Sequence, residues 1–133
     1  MERFLNLPET VESAELRPMF IELASSKPTS RQEAVEIARA LRELADRQWH
    51  NYERAAPDVV DSLTRWIVSN WDPHVYEFVV NITAVMALLG LSSALGVLES
   101  SLKENLSPEI RSRLEQFIAT AKPSIDDPYG GMP

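Results

Sequence analysis

Apolar residues recur at three- and four-residue spacing along most of the chain, with polar residues between them. This is the period of a helix with one buried face. Over residues 8–26 the stripe is Leu16, Phe20, Leu23 and Ala24, interrupted by Pro18. Proline lacks an amide donor and disfavours helix at the residue before it, so a short or kinked helix is expected here. Ser30 and Glu33 form a capping-box pair, each side chain placed to satisfy the other's free amide, and predict a helix to about Gln48. Its apolar face is Ala34, Val35, Ile37, Ala38, Leu41, Leu44 and Ala45, and its outward face alternates in sign through Glu36, Arg39, Glu43 and Arg47. After the irregular stretch "WHNYERAAPD", Pro57 opens a third helix whose buried side is Val59, Val60, Leu63, Trp66 and Ile67, proline being tolerated where the amide has no partner anyway. Asp72 as N-cap and Pro73 at the first position predict the start of the next helix. Ser107, Pro108 and Glu109 open the last, through Ile110, Leu114, Phe117 and Ile118. No segment alternates with period two, so strands are not expected. The pattern is all-α, with five to six helices stacked as antiparallel pairs.

Residues 78–98, "FVVNITAVMALLGLSSALGVL", carry no charge over 21 positions, enough in length to cross a bilayer. Two features oppose that reading. No Lys or Arg stands between Arg65 and Lys103, so the flanking charge that orients membrane segments is missing. Gly90 followed by Ser92 and Ser93 reads as a helix stop and a new N-cap. The run therefore splits into two ordinary helices, the second from 93 to about 105. The first has one stripe of Val75, Val79, Ile82, Met86 and Leu89 and a second face of Phe78, Val85 and Leu88. A helix apolar on two sides needs neighbours on two sides, and the helix that follows is expected to pack back on it.

Shifting the chain by 35 places Val60 on Leu95, Leu63 on Leu98, Ile67 on Leu102, Trp71 on Leu106, Pro73 on Pro108, Val79 on Leu114 and Ile82 on Phe117. Such a period marks stacked helical pairs, each completed by the next. "DPHVYEFVVNITAVMALLG" and "SSALGVLESSLKENLSPEIRSRLEQFIA" resemble the HEAT-type repeat: an Asp-Pro-x-Val opening, an Ala- and Leu-rich helix, a Gly turn, a Leu-rich second helix and another Pro-x-Ile-Arg opening. The resemblance spans residues 58–121. Arg111 follows Ile110 as the pattern asks, whereas Tyr76 replaces that arginine after Val75. It implies a short HEAT-like α-solenoid; an orthogonal helical bundle is the other architecture open to this pattern.

Composition narrows the work such a fold performs. The 133 residues suit one helical domain over 1–122, with 123–133 expected as a mobile tail. There is no cysteine, hence no thiol catalysis, disulfide framework or thiolate metal site. The N-terminus carries acids early and no long apolar run, unlike a secretory or transit signal, so a soluble, cytoplasmic protein is expected. The formal charge of −7 repels phosphate backbones and attracts basic surfaces; neither nucleic acid nor membrane is an expected partner.

Candidate chemistry is sparse. "HNYE" and "HVYE" set His50 with Glu53 and His74 with Glu77, a spacing that shares a helix face and invites comparison with helical-bundle metal sites. A metal-dependent helical-bundle enzyme using these four residues is the catalytic alternative. No Gly-rich phosphate loop and no nucleophile elbow is present, and no cofactor is expected. The features that suit recognition are an aromatic pair in the connection, Trp49 and Tyr52, together with Asp58, Asp61, Arg65, Glu99 and Lys103 on the third helix and the one after Gly90. Thr64 joins these if a solenoid lines its concave face with those helices. Trp66 and Trp71 sit at core-compatible positions. The expectation is a non-catalytic protein-interaction protein that presents an acidic surface to a basic partner. In type, though not in motif, it resembles immunity or antitoxin-like inhibitors; an adaptor or scaffold of α-solenoid type is the other binding reading.

Overall fold

The computed structural model describes residues 2–121, which are helical with no strand among them. A single turn, α1 (Glu2–Leu5), precedes α2 (Ser13–Ala24), α3 (Arg31–His50), α4 (Pro57–Asn70), α5 (Tyr76–Leu89), α6 (Leu95–Ser101) and α7 (Pro108–Ala121); a 3-10 turn at Ser92–Ala94 leads into α6. The expected tail at 123–133 lies outside the described residues. No helix among those described is long and apolar enough to cross a membrane.

Local signals set several boundaries. Gly90 ends α5 in the left-handed conformation, φ 69°, with the Leu91 amide donating to the Met86 carbonyl, a backbone state that only glycine adopts without a Cβ penalty. The Ser30 hydroxyl accepts the Glu33 amide at 3.1 Å. Only this half of the capping box forms, because the Glu33 carboxylate instead accepts the Thr29 hydroxyl at 2.9 Å. Pro57 and Pro108 each stand at the first position of their helices.

Four boundaries differ from expectation. Pro18 lies inside a continuous twelve-residue α2, since packing of Leu16, Phe20 and Leu23 in the core outweighs one missing hydrogen bond. α3 runs on to His50. Asp72 does not cap α5: its carboxylate accepts the His74 amide at 3.0 Å, closing a turn that buries Pro73 and delays the helix to Tyr76. α6 has only seven residues, with no side-chain cap, and ends at Ser101.

The packing of these helices has a consistent sense. Arg31 meets Asp72 at 3.1 Å, Arg39 meets Glu77 at 3.9 Å, and Arg42 reaches Asn81 at 3.5 Å. Positions that rise together in number mean that α3 and α5 run in the same direction. Arg17 on Asp58 and the Trp66 indole on the Ser26 carbonyl, at 3.0 Å, say the same of α2 and α4. The most extensive packing is between α3 and α5, with α7 against the other side of α5; α2 packs on α3 and α4, and α4 meets the Ser92–Ala94 turn. Helices alternating in the chain thus lie side by side in two rows.

The oily helix α5 is central, as its two-sided pattern requires, but its neighbours are α3 and α7, whereas α6 packs chiefly on α7. Phe78 bridges the rows, its ring 6.1 Å from those of both Trp66 and Trp71. The core takes in Leu41, Leu44, Leu63, Ile67, Ile82, Val85, Met86 and Leu98, each without solvent exposure. Arg47, expected outward, is folded in: its guanidinium holds the Leu7 and Pro8 carbonyls at 3.1 and 3.0 Å and pairs with Glu43. At the far side, Glu109, Ser112, Glu115 and Gln116 give α7 an exposed polar face, while Phe117 and Ile118 turn partly into the core.

Candidate functional site

Two surface features stand out from this frame, an aromatic tip at the end of α3 and a groove between α3 and α5. The tip begins with polar anchoring. The Gln48 amide, buried, donates to the Ser13 hydroxyl at 3.1 Å and the Glu53 carbonyl at 2.8 Å. The Asn51 amide donates to the Val11 carbonyl at 2.8 Å and the same hydroxyl at 3.2 Å. These bonds fasten the chain after α3 to the start of α2.

On that platform Trp49 is half-buried, with the His50 ring edge-on at 5.2 Å and the Tyr52 ring at 6.3 Å. Tyr52 has φ 54°, the one positive value outside glycine among the described residues, and the residue is 65% exposed. A left-handed backbone costs a non-glycine residue about 1–2 kcal/mol, and a ring this exposed recovers little of it by burial. The exposed Glu12 and Glu53 flank the tip through Ser13 and Gln48.

The groove holds about 580 Å³ and is lined by Arg39, Arg42, Glu43 and Asp46 on α3, by Asn81, Ala84, Ala87 and Leu88 on α5, and by Leu5 of α1. Asn81, 7% exposed, accepts from Arg42 and donates to the Glu77 carbonyl at 2.8 Å. Sequence reasoning did not find this feature, whose two walls lie some forty positions apart. One signal was present: beyond Glu77 in the first turn, Asn81 and Thr83 are the polar residues of an otherwise apolar α5. Thr83 turns its hydroxyl back to the Val79 carbonyl at 2.8 Å, and Asn81 faces the groove.

The remaining predicted residues are dispersed. Asp58 is already engaged by Arg17 at 2.6 Å, and this hydrogen bond holds its carboxyl below the ordinary value of 3.8. Asp61, Arg65 and Lys103 are exposed and Glu99 half-buried; they lie on α4, on α6 and just beyond it. Thr64, beside them, has a buried hydroxyl without a hydrogen-bond partner. Trp66 is core, and Trp71, half-buried, donates to the Ser101 hydroxyl at 2.6 Å.

The two His-x-x-Glu strings are not assembled into one site. His50 Nδ1 stands 2.7 Å from the Asp46 carbonyl, whereas His74 Nε2 is 3.4 Å from Glu104, and Glu77 pairs with Arg39. Among the described residues no group of three or more His, Asp or Glu side chains is placed to share a metal ion. No protein-family profile, curated protein or solved structure matches this chain.

Proposed function

We propose that this protein acts without catalysis, by binding another protein, and that the tip formed by Trp49 and Tyr52 is its anchor. The observation that carries this reading is Tyr52: a large ring held in water on a strained backbone. Strain of this kind persists where the surrounding structure enforces it, as the Gln48 and Asn51 amides do, and it concentrates at functional sites. An aromatic ring on a fixed platform enters an interface with little ordering cost, which is how hot-spot residues contribute.

The net charge of −7 favours a basic partner, met by electrostatic steering. A small acidic inhibitor of the immunity or antitoxin type, covering a basic effector in the cytoplasm, is the concrete form of this proposal. The side-by-side rows also suit a HEAT-like adaptor, although the polar outer face of α7 gives a further repeat no apolar surface to stack on.

A photo-crosslinking amino acid at position 52, with position 115 on the outer face of α7 as control, tests the reading. The expected result is a basic protein captured from position 52 alone, with affinity falling as salt is added. Tyr52→Gly should abolish that binding while raising stability by about 1 kcal/mol, through relief of the left-handed strain. Equal capture from both positions, or salt-insensitive binding to an acidic protein, rejects the proposal.

A further inference from the structure

The α3–α5 groove has an electrical polarity that the tip does not use. Along α3 its wall presents Arg39 and Arg42, then Glu43 and Asp46. Glu77 offsets one guanidinium at the first end; at the second, the single cation of Arg47 is shared between Glu43 and Asp46, with the His50 ring 3.6 Å from Asp46. Two cations with one anion leave a net positive charge at one end; two anions with one cation leave a net negative charge at the other. Seven residues separate Arg39 from Asp46, a rise of about 10 Å, or two helical turns.

The floor toward the acidic end is apolar, made of Ala84, Ala87 and Leu88 with Leu5, which is 37% exposed. Alanines let another backbone approach closely, and the distance between packed helices is set by the side chains at the contact. Arg39 and Glu77 are about half exposed, so exchanging their pairing for a new one costs little. Arg42 meets Asn81 only at 3.5 Å, the long limit of a hydrogen bond, and its guanidinium stays accessible to a carboxylate.

We infer that this groove receives a two-turn segment of amphipathic helix from another protein, laid parallel to α3, with carboxylates in its first turn and cations in its last. The dipole of any helix favours that order of charge, acid at the N-terminus and base at the C-terminus. A parallel orientation sets the acidic turn against Arg39 and Arg42 and the basic turn against Glu43 and Asp46; the antiparallel one opposes like charges at both ends. Small apolar side chains at i, i+3, i+4 and i+7 of the segment meet the alanine floor.

Two lactam-bridged peptides of about twelve residues test this. One carries two glutamates in its first turn, leucine and alanine at the inward positions and two lysines in its last turn; the other has the same composition with the charges exchanged. Fluorescence anisotropy should show the first binding the wild-type chain at least tenfold more tightly. In the double variant Arg42→Glu, Asp46→Lys, shown to be folded by its thermal transition, the preference should invert. Tyr52→Ala should leave both affinities unchanged, which separates this site from the aromatic tip. Equal affinities, no binding of either peptide, a preference that survives the charge exchange, or binding lost in Tyr52→Ala each overturn the inference.

Discussion

The two halves of the stack are built differently. In the first, α3 is twenty residues long with a serine cap, and charged or polar pairs join each helix to the next in its row: Arg17 to Asp58, Arg31 to Asp72, Arg39 to Glu77, Arg42 to Asn81. In the second, α6 is seven residues long, has no side-chain cap and carries Gly96, around which a methyl group would meet nothing within 4 Å. Its end is secured from outside. Arg111 donates to the Leu102 and Glu104 carbonyls at 2.9 and 2.7 Å, and the Trp71 indole holds Ser101. Where a helix is long enough to stabilise its own ladder, side chains set its register; where it is short, neighbours satisfy its backbone. Both candidate recognition features belong to the sturdier half, as preorganised binding requires.

The sharpest way to break this contrast is a pair of cavities. Leu41→Ala in α3 and Leu98→Ala in α6 each remove a side chain with no solvent exposure, at a cost of about 2–5 kcal/mol. Denaturant melts should show both losses. Hydrogen exchange should confine faster opening to α6 and α7 in Leu98→Ala and spread it through all helices in Leu41→Ala. Uniform opening in both would make the halves one cooperative unit. Next in size, Trp71→Phe keeps an aromatic ring, though a smaller one, and removes the donor to Ser101, for a loss of at least about 0.5–1.5 kcal/mol in stability, read from the shift of the urea midpoint.

Gly96→Ala works in the opposite direction. With open space at its Cβ, an alanine should add about 0.5–1 kcal/mol and slow exchange in α6; a destabilised variant would mean that the short helix is limited by something other than propensity. The smallest effect concerns the first half. Because Asp58 titrates below 3.8 when folded, its pair with Arg17 stabilises fully above that pH and is lost as the pH falls through the depressed value. Acid titration of Asp58→Asn should therefore give a slightly flatter stability profile below 3.8, and an unchanged profile would show the pair to be idle.

Much of the framework was legible because its causes are local. Gly90, Ser30, Pro57 and Pro108 act through the few residues around them, and the stripes of α3, α4 and α5 name most of the core. The expected packing of the following helix on α5 gave way to α3 and α7 for a related reason. Sequence order suggests that the next helix packs back, yet alternate helices lie side by side, and only distant contacts decide that. The offset of 35 seen between the later helices differs from the offsets of 38 to 41 that join Arg39 to Glu77 and Arg17 to Asp58, so no single period could place the first half.

Of the site, the chain itself marks Trp49 and Tyr52 as aromatics in a connection, but not the left-handed backbone that lifts Tyr52, since tyrosine carries no preference for it. Around it, Gln48 and Asn51 tie the chain to Val11 and Ser13. The groove was invisible for the same cause, and so was the inward turn of Arg47. By itself the sequence determined that the chain is helical, where α3, α4 and α7 begin and α5 ends, and which stripes are buried, because these follow from backbone preference and hydrophobic period over a few turns. Tertiary structure alone decided which helices are neighbours, which polar side chains are drawn inside and what the surface offers. Those properties come from pairs some forty residues apart, whose energies no local pattern contains.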